Sequence, residues 1–169
     1  MKIYKIGSEI LSIDSIREII KNDLKLSLSS KVKKQIKECR KYLDKKIHES
    51  NDPIYGINTG FGSLYDKKVD EANLGELQKN LVLSHACGVG DEVPLEIVRL
   101  ILLLKIQSLS YGHSGVQLVT VERLVDMYNN RILPIIYQQG SLGASGDLAP
   151  LAHMSLSLLG EGEVDILEN

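Results

Sequence analysis

The sequence predicts a mainly α-helical fold, with short strands at its N-terminus and a glycine-rich loop ahead of its last helix. Three observations predict it. Apolar residues recur at helical spacing in five longer stretches, near 30–48, 72–87, 94–111, 117–130 and 148–159. Weak period-two alternation is confined to the start of the chain. Gly140, Gly143 and Gly146 interrupt the pattern just before the last helical stretch. With 169 residues, 43% of them hydrophobic and 25% charged, the chain is long enough for one domain, residues 1–169, with a real core.

Lys2 to Ile6 reads as a short strand, Gly7-Ser8 as a turn, and Glu9 to Ser12 as its partner. Ser15-Ile16-Arg17-Glu18 has the form of a capping box and opens a short helix with Ile16, Ile19 and Ile20 on one face. Ser29-Ser30 then caps a helix to about His48. Val32, Ile36, Cys39, Leu43 and Ile47 form its buried stripe, while Lys33, Lys34, Lys37, Lys41 and Lys45 form a solvated face. Asn51-Asp52-Pro53 ends it, and the loop YGINTGFG at 55–62 places three glycines in eight residues. In the helix over 72–87, Leu74, Leu77, Leu81 and His85 fall at inward spacings, with Ser84 turned to the same side. Gly88, Gly90 and Pro94 mark a turn into a helix that reaches about Tyr111 and is apolar almost all round, hence central to the core. After the connector at 112–115, a helix from about Gln117 to Asn130 buries Val121, Leu124, Val125 and Tyr128. Arg131 to Gln139 leads into the glycine loop, and Leu148 to Leu159 is an apolar helix carrying His153 as a packed residue.

Composition narrows the function. A net charge of −2, one Phe and no Trp argue against a nucleic-acid binder and its base-stacking platforms. The N-terminus lacks the apolar core of a secretory signal, and the run Ile97 to Leu104 is too short and too interrupted to span a bilayer. Cys39 and Cys87 share no metal-ligand spacing and read as reduced thiols, so no metal and a cytoplasmic setting are expected.

The stretch that carries chemistry is GSLGASGDLAPLAH at 140–153. If the Gly146 nitrogen attacks the Ala144 carbonyl carbon, a five-membered ring closes. Loss of two waters, one from that carbonyl and one from the Ser145 side chain, leaves a methylidene electrophile. Glycine leaves its nitrogen unhindered and tolerates the strained backbone; serine carries the hydroxyl that departs. The same residues also make a plain flexible turn, with Asp147 capping the following helix and Pro150 in its first turn. A phosphate loop is excluded, because the Gly-Lys-Ser/Thr ending is missing and Asp147 is negative.

The run GSLGASGDLAPLAHMSLSLLGEGEV resembles the prosthetic-group segment of the histidine and aromatic amino-acid ammonia-lyases. The blocks YGINTGFG at 55–62 and NLVLSHACGVG at 80–90 resemble the same family in the same order. The resemblance runs from about Tyr4 to Val164 and implies the helical N-terminal region of that fold. It implies a 4-methylidene-imidazol-5-one formed from Ala144-Ser145-Gly146. Tyr55 is implied as the base for the substrate's β-proton, and Ser84, His85 and Gly62 as substrate-binding positions. A free phenol ionises near pH 10, so the Tyr55 role requires a stabilised phenolate. Ser-His at 84–85 is the histidine pattern of the family, which implies conversion of L-histidine to trans-urocanate and ammonia. A tyrosine or phenylalanine lyase or aminomutase, or a non-catalytic truncated paralogue, is the alternative. The family continues for several hundred residues beyond the length seen here and forms tetramers. The chain is therefore expected to be an N-terminal portion, inactive alone with its ring unformed, and to self-associate through its apolar faces.

Overall fold

The computed structural model of the protein describes residues 2–7, 10–50, 52–143 and 146–167. In chain order its elements are β1 (Ile3–Ile6), α1 (Ile13–Lys21), β2 (Lys25–Leu28), α2 (Ser30–Glu49), α3 (Leu74–His85), β3 (Val89–Glu92), α4 (Leu95–Ser110), α5 (Leu118–Asn129), β4 (Ile132–Pro134), β5 (Tyr137–Gln139), α6 (Ala149–Leu156) and β6 (Val164–Ile166). Helices dominate, as the apolar spacing predicts. The chain divides into two units. One is Met1–His48 with Leu95–Leu133 and Asp165–Asn169; the other is Glu49–Pro94 with Pro134–Val164.

In the first unit, β1 pairs in parallel with β2, Ile3 opposite Lys25 and Ile6 opposite Leu28. The expected partner at Glu9–Ser12 is therefore corrected. Glu9 lies outside the described residues, and Ser12 is instead the N-cap of α1, its side chain accepting the Ser15 amide at 3.1 Å. The cap thus falls three residues earlier than the Ser15 reading placed it. A parallel pair requires a crossover, and α1 supplies it with Ile19 fully buried. Strand β2 alternates as its pattern demands, Leu26 and Leu28 inward. The Asn129 amide caps its open edge, accepting Leu26 N at 2.7 Å and donating to Leu26 O at 2.9 Å. Ser29 Oγ accepts the Val32 amide and starts α2, whose stripe buries Val32 and Ile36.

Helix α4 is less enclosed than its composition predicts. Val98, Leu102, Leu103 and Ile106 are buried, but Ile97 and Leu104 are more than two-fifths exposed, so one apolar flank lies open. Asp23 receives Arg131 at 2.5 Å and also Arg99, which lies over the Tyr128 ring. Those hydrogen bonds, Arg131 first, hold the Asp23 carboxyl below its ordinary range.

The second unit is built around α3 and α6. Between them the sequence reading misses two strands: β3 pairs antiparallel with β5 through an irregular register, Val89 opposite Gln139 and Glu92 opposite Tyr137. Residues read as a turn and as a lead-in are thus a small sheet, too short and too polar to show alternation. Helix α3 has no fully buried residue. Leu74, Leu77, Leu81 and His85 are only half-buried and Ser84 is exposed, so the inward face expected there is partly open. Among the described residues no helix is long and apolar enough to cross a membrane.

Candidate active site

The loop at 54–62 takes its shape from two buried polar side chains. Asn58, 2% exposed, accepts the Ile54 amide at 2.6 Å and donates to Asp52 O at 3.2 Å. Thr59 is fully buried; its hydroxyl accepts Gly56 N at 3.2 Å and donates to Gly60 O at 3.0 Å. A side chain at Gly56 is forbidden twice: φ is +68°, and a Cβ would lie 2.8 Å from the Phe61 ring. So folded, the loop turns Tyr55 outward, 61% exposed, with its phenol oxygen accepting the Gly62 amide at 3.3 Å. The loop is fastened to α3 by Gln78, whose Nε2 donates to Gly56 O at 3.0 Å and Ile57 O at 2.9 Å.

Helix α3 ends at His85. Its Nδ1 lies 2.7 Å from Leu81 O, and a carbonyl only accepts, so Nδ1 carries a proton; when the ring is neutral, the lone pair is on Nε2. The Phe61 ring meets the imidazole edge-on at 5.2 Å and the Tyr55 ring at 5.7 Å, joining the two predicted residues through a third. Ser84 does not join them. Its hydroxyl returns to Leu81 O at 3.2 Å and lies 3.2 Å from His85 Nδ1, so it steadies the ring from behind.

The glycine loop is closed by Asp147. Its Oδ1 accepts Ser141 N at 2.9 Å and Ala149 N at 3.0 Å, so one oxygen ties the loop's entry to the first turn of α6. These backbone donors, Ser141 first, hold the carboxyl below its usual range. Gly140 has to be glycine, because a Cβ there would sit 2.0 Å from the carboxylate. Ala144 and Ser145 lie outside the described residues. Gly146, at φ +101° with nothing within 4 Å of a built Cβ, donates its N–H to Gly143 O at 3.2 Å. Pro150 occupies the first turn of α6, as predicted.

Helices α3 and α6 flank a cleft of about 200 Å³, lined by Phe61, Gln78, Leu81 and His85 on one side and by Leu148, Leu151 and Ser155 on the other. The structure thus gathers Tyr55, Gly62 and His85 around Phe61, with Gly146 two residues from the cleft wall. Phe61 and Gln78 were not singled out in the sequence. Gln78 had a signal: with Leu74, Leu81, Val82 and His85 it falls on one helical face.

Residues 11–168 match the aromatic amino acid lyase family model, and the chain belongs to that family. It is 48% identical over 154 residues to the histidine ammonia-lyase of Legionella pneumophila (strain Corby), covering 91% of this chain and 30% of the relative. The histidine ammonia-lyase of Caldanaerobacter subterraneus subsp. tengcongensis is 44% identical over 163 residues, 96% of this chain and 32% of that one. Among solved structures, histidine ammonia-lyase from Trypanosoma cruzi superposes with a TM-score of 0.84 at 33% identity, over 100% of this chain and 32% of its own. The ergothionase of Treponema denticola does so with a TM-score of 0.90 at 30% identity, over 98% of this chain and 33% of its own. The chain thus spans about a third of the length of the relatives it matches.

Proposed function

We propose that this chain supplies one side of the active site of a histidine ammonia-lyase, converting L-histidine to trans-urocanate and ammonia. The observation that carries the reading is His85: an imidazole at the cleft wall with Nδ1 tied back and Nε2 left as an acceptor. A substrate imidazole brings an N–H that would be unsatisfied in a purely apolar cleft, and Nε2 answers it. The relatives' names favour the same substrate over tyrosine or phenylalanine.

Ala144, Ser145 and Gly146 would hold the 4-methylidene-imidazol-5-one. The observed geometry fits that group: Gly146 has the positive φ and empty surroundings that ring closure asks of glycine, and Asp147 draws the loop's two ends together. When formed, the group supplies an electrophile that takes up the substrate's amino group and makes it a competent leaving group. Tyr55 takes the β-proton through its exposed phenol oxygen, which the Gly62 N–H holds in place. Phe61 packs between the base and the ring-binding His85.

Two further features belong to this reading. Exposed leucines, among them Leu148, Leu151 and Leu159, favour a homo-oligomer. Free Cys39 and Cys87 suit a reducing, cytoplasmic setting.

The test is a chimera in which residues 1–169 replace the matching segment of the Legionella pneumophila relative. Urocanate formation from L-histidine, with a two-water mass deficit mapped to 140–153, is the expected result. Equal turnover of tyrosine would remove histidine as the substrate. An unmodified 140–153 peptide in an otherwise folded chimera would remove the lyase chemistry.

A further inference from the structure

One buried titratable group takes no part in the chemistry above. His153 sits on α6, 9% exposed, and its Nε2 accepts the Gly88 amide at 2.9 Å. Gly88 lies three residues after His85, at the turn by which the chain leaves α3. The contact is built for an acceptor. A backbone N–H can only donate, so Nε2 must be unprotonated and the ring neutral with its proton on Nδ1. The fit is also close: a Cβ at Gly88 would stand 2.9 Å from Nε2 and 3.2 Å from the Tyr137 Cβ, so only glycine brings its amide to the ring. Tyr137 on β5 meets the imidazole edge-on at 5.2 Å and fixes its plane.

We propose that His153 is a positioning residue that fixes the His85 end of α3 against α6, and that protonation of its ring releases Gly88 and slackens the cleft. Once Nε2 carries a proton, two donors face each other and the bond becomes a repulsion. The titratable group seen against the ring is the Tyr137 phenol on β5; Cys87 and His85 precede Gly88 by one and three residues in the chain. Burial pushes the imidazole below its ordinary value. A histidine whose folded value is lowered contributes stability that is present above about pH 6.5 and lost as pH falls through the lowered value. The release therefore belongs to the mildly acidic range. Its consequence for turnover rests on the lyase reading; the release itself does not.

Two measurements test this. In the chain itself, the Gly88 amide proton and nitrogen resonances should move with pH in step with the His153 ring, and in His153→Gln, where a side-chain oxygen keeps the acceptor but cannot titrate, they should stay still. A Gly88 amide that ignores the ring's titration overturns the release, whatever the enzyme does. In the chimera, His153→Gln should keep histidine turnover within about twofold at pH 8 and lose the limb that wild type shows below about pH 6.5, whereas His153→Leu should lower turnover about tenfold at every pH, the equivalent of one unmet buried donor. An unchanged acid limb in His153→Gln overturns the pH coupling, and wild-type turnover in His153→Leu overturns the positioning role. A chimera without lyase activity that still shows the Gly88 titration would dispose of the lyase reading and leave the release standing.

Discussion

The amide of Ser141 donates to Asp147 Oδ1 at 2.9 Å, spanning the glycine loop with one bond. Ala149 donates to the same oxygen from the other side, so removing the carboxylate frees both ends of the loop at once. Asp147→Ala should raise amide exchange at Ser141 and Ala149 about tenfold and lower the fraction of chimera carrying the two-water deficit. The carboxyl is held below its ordinary value, so the ties are fully present above about pH 4 and fail only as pH falls through the lowered value. Protection at these two amides should accordingly stay flat from about pH 8 to 5. A loss near neutrality would show that something other than Asp147 holds the loop.

Tyr55→Phe removes only the oxygen that accepts the Gly62 amide, on a side chain 61% exposed. Stability should change by less than about 0.5 kcal/mol, as for surface substitutions. Histidine turnover in the chimera should fall by about 10²–10⁴, the span of a lost general base, with KM nearly unchanged. A variant that turns over at the wild-type rate would take Tyr55 out of the chemistry.

Gln78 holds two consecutive carbonyls just after Tyr55, so it sets where the proposed base stands relative to His85 on the same helix. In Gln78→Met both donors are lost while the side-chain length is kept. The two carbonyls are partly open to water, so the stability cost should be modest, about 0.5–1.5 kcal/mol by denaturant titration. Turnover should fall more than binding, because misplacement of the base affects the reacting geometry.

Local chemistry made the helices and the glycine loop legible. The Val32–Ile36 stripe, the Ser29 cap, Pro150 in the first turn of α6 and the glycines around Asp147 all act over a few residues, and each stands where the sequence puts it. Long-range pairing was not legible. β1 finds β2 across α1, a pairing that the alternation of Leu26 and Leu28 does not specify, and β3 finds β5 from more than forty residues away, in strands of four and three residues with no alternation to display. The division into two units is equally silent, because the chain crosses between them at 48, 94, 133 and 164 with no linker composition at any crossing. At the site, the sequence pointed to Tyr55 and His85 but not to Phe61, which touches both rings. Periodicity places a residue on a face; it does not say which loop that face will meet. Ser84 illustrates the converse: helical spacing turned it to the side of the leucines and the resemblance made it a binding position, yet it is exposed and its hydroxyl folds back on Leu81 O.

Two glycines in the same unit should respond oppositely to alanine. At Gly88 the added methyl would meet His153 Nε2 at 2.9 Å and Tyr137 Cβ at 3.2 Å, against a buried ring with little room to withdraw. Overpacking of this kind costs about 1–3 kcal/mol. Gly75, in the first turn of α3, has nothing within 4 Å of a built Cβ and a backbone that alanine adopts freely. There the substitution should stabilise by about 0.5 kcal/mol, chiefly by restricting the unfolded chain. Urea midpoints of the two variants against wild type would read the difference directly, with unchanged slope marking a two-state comparison. If Gly88→Ala unfolds at the wild-type midpoint, the close approach of Gly88 to His153 is not a constraint on the fold. The ring would then be free to move without releasing α3.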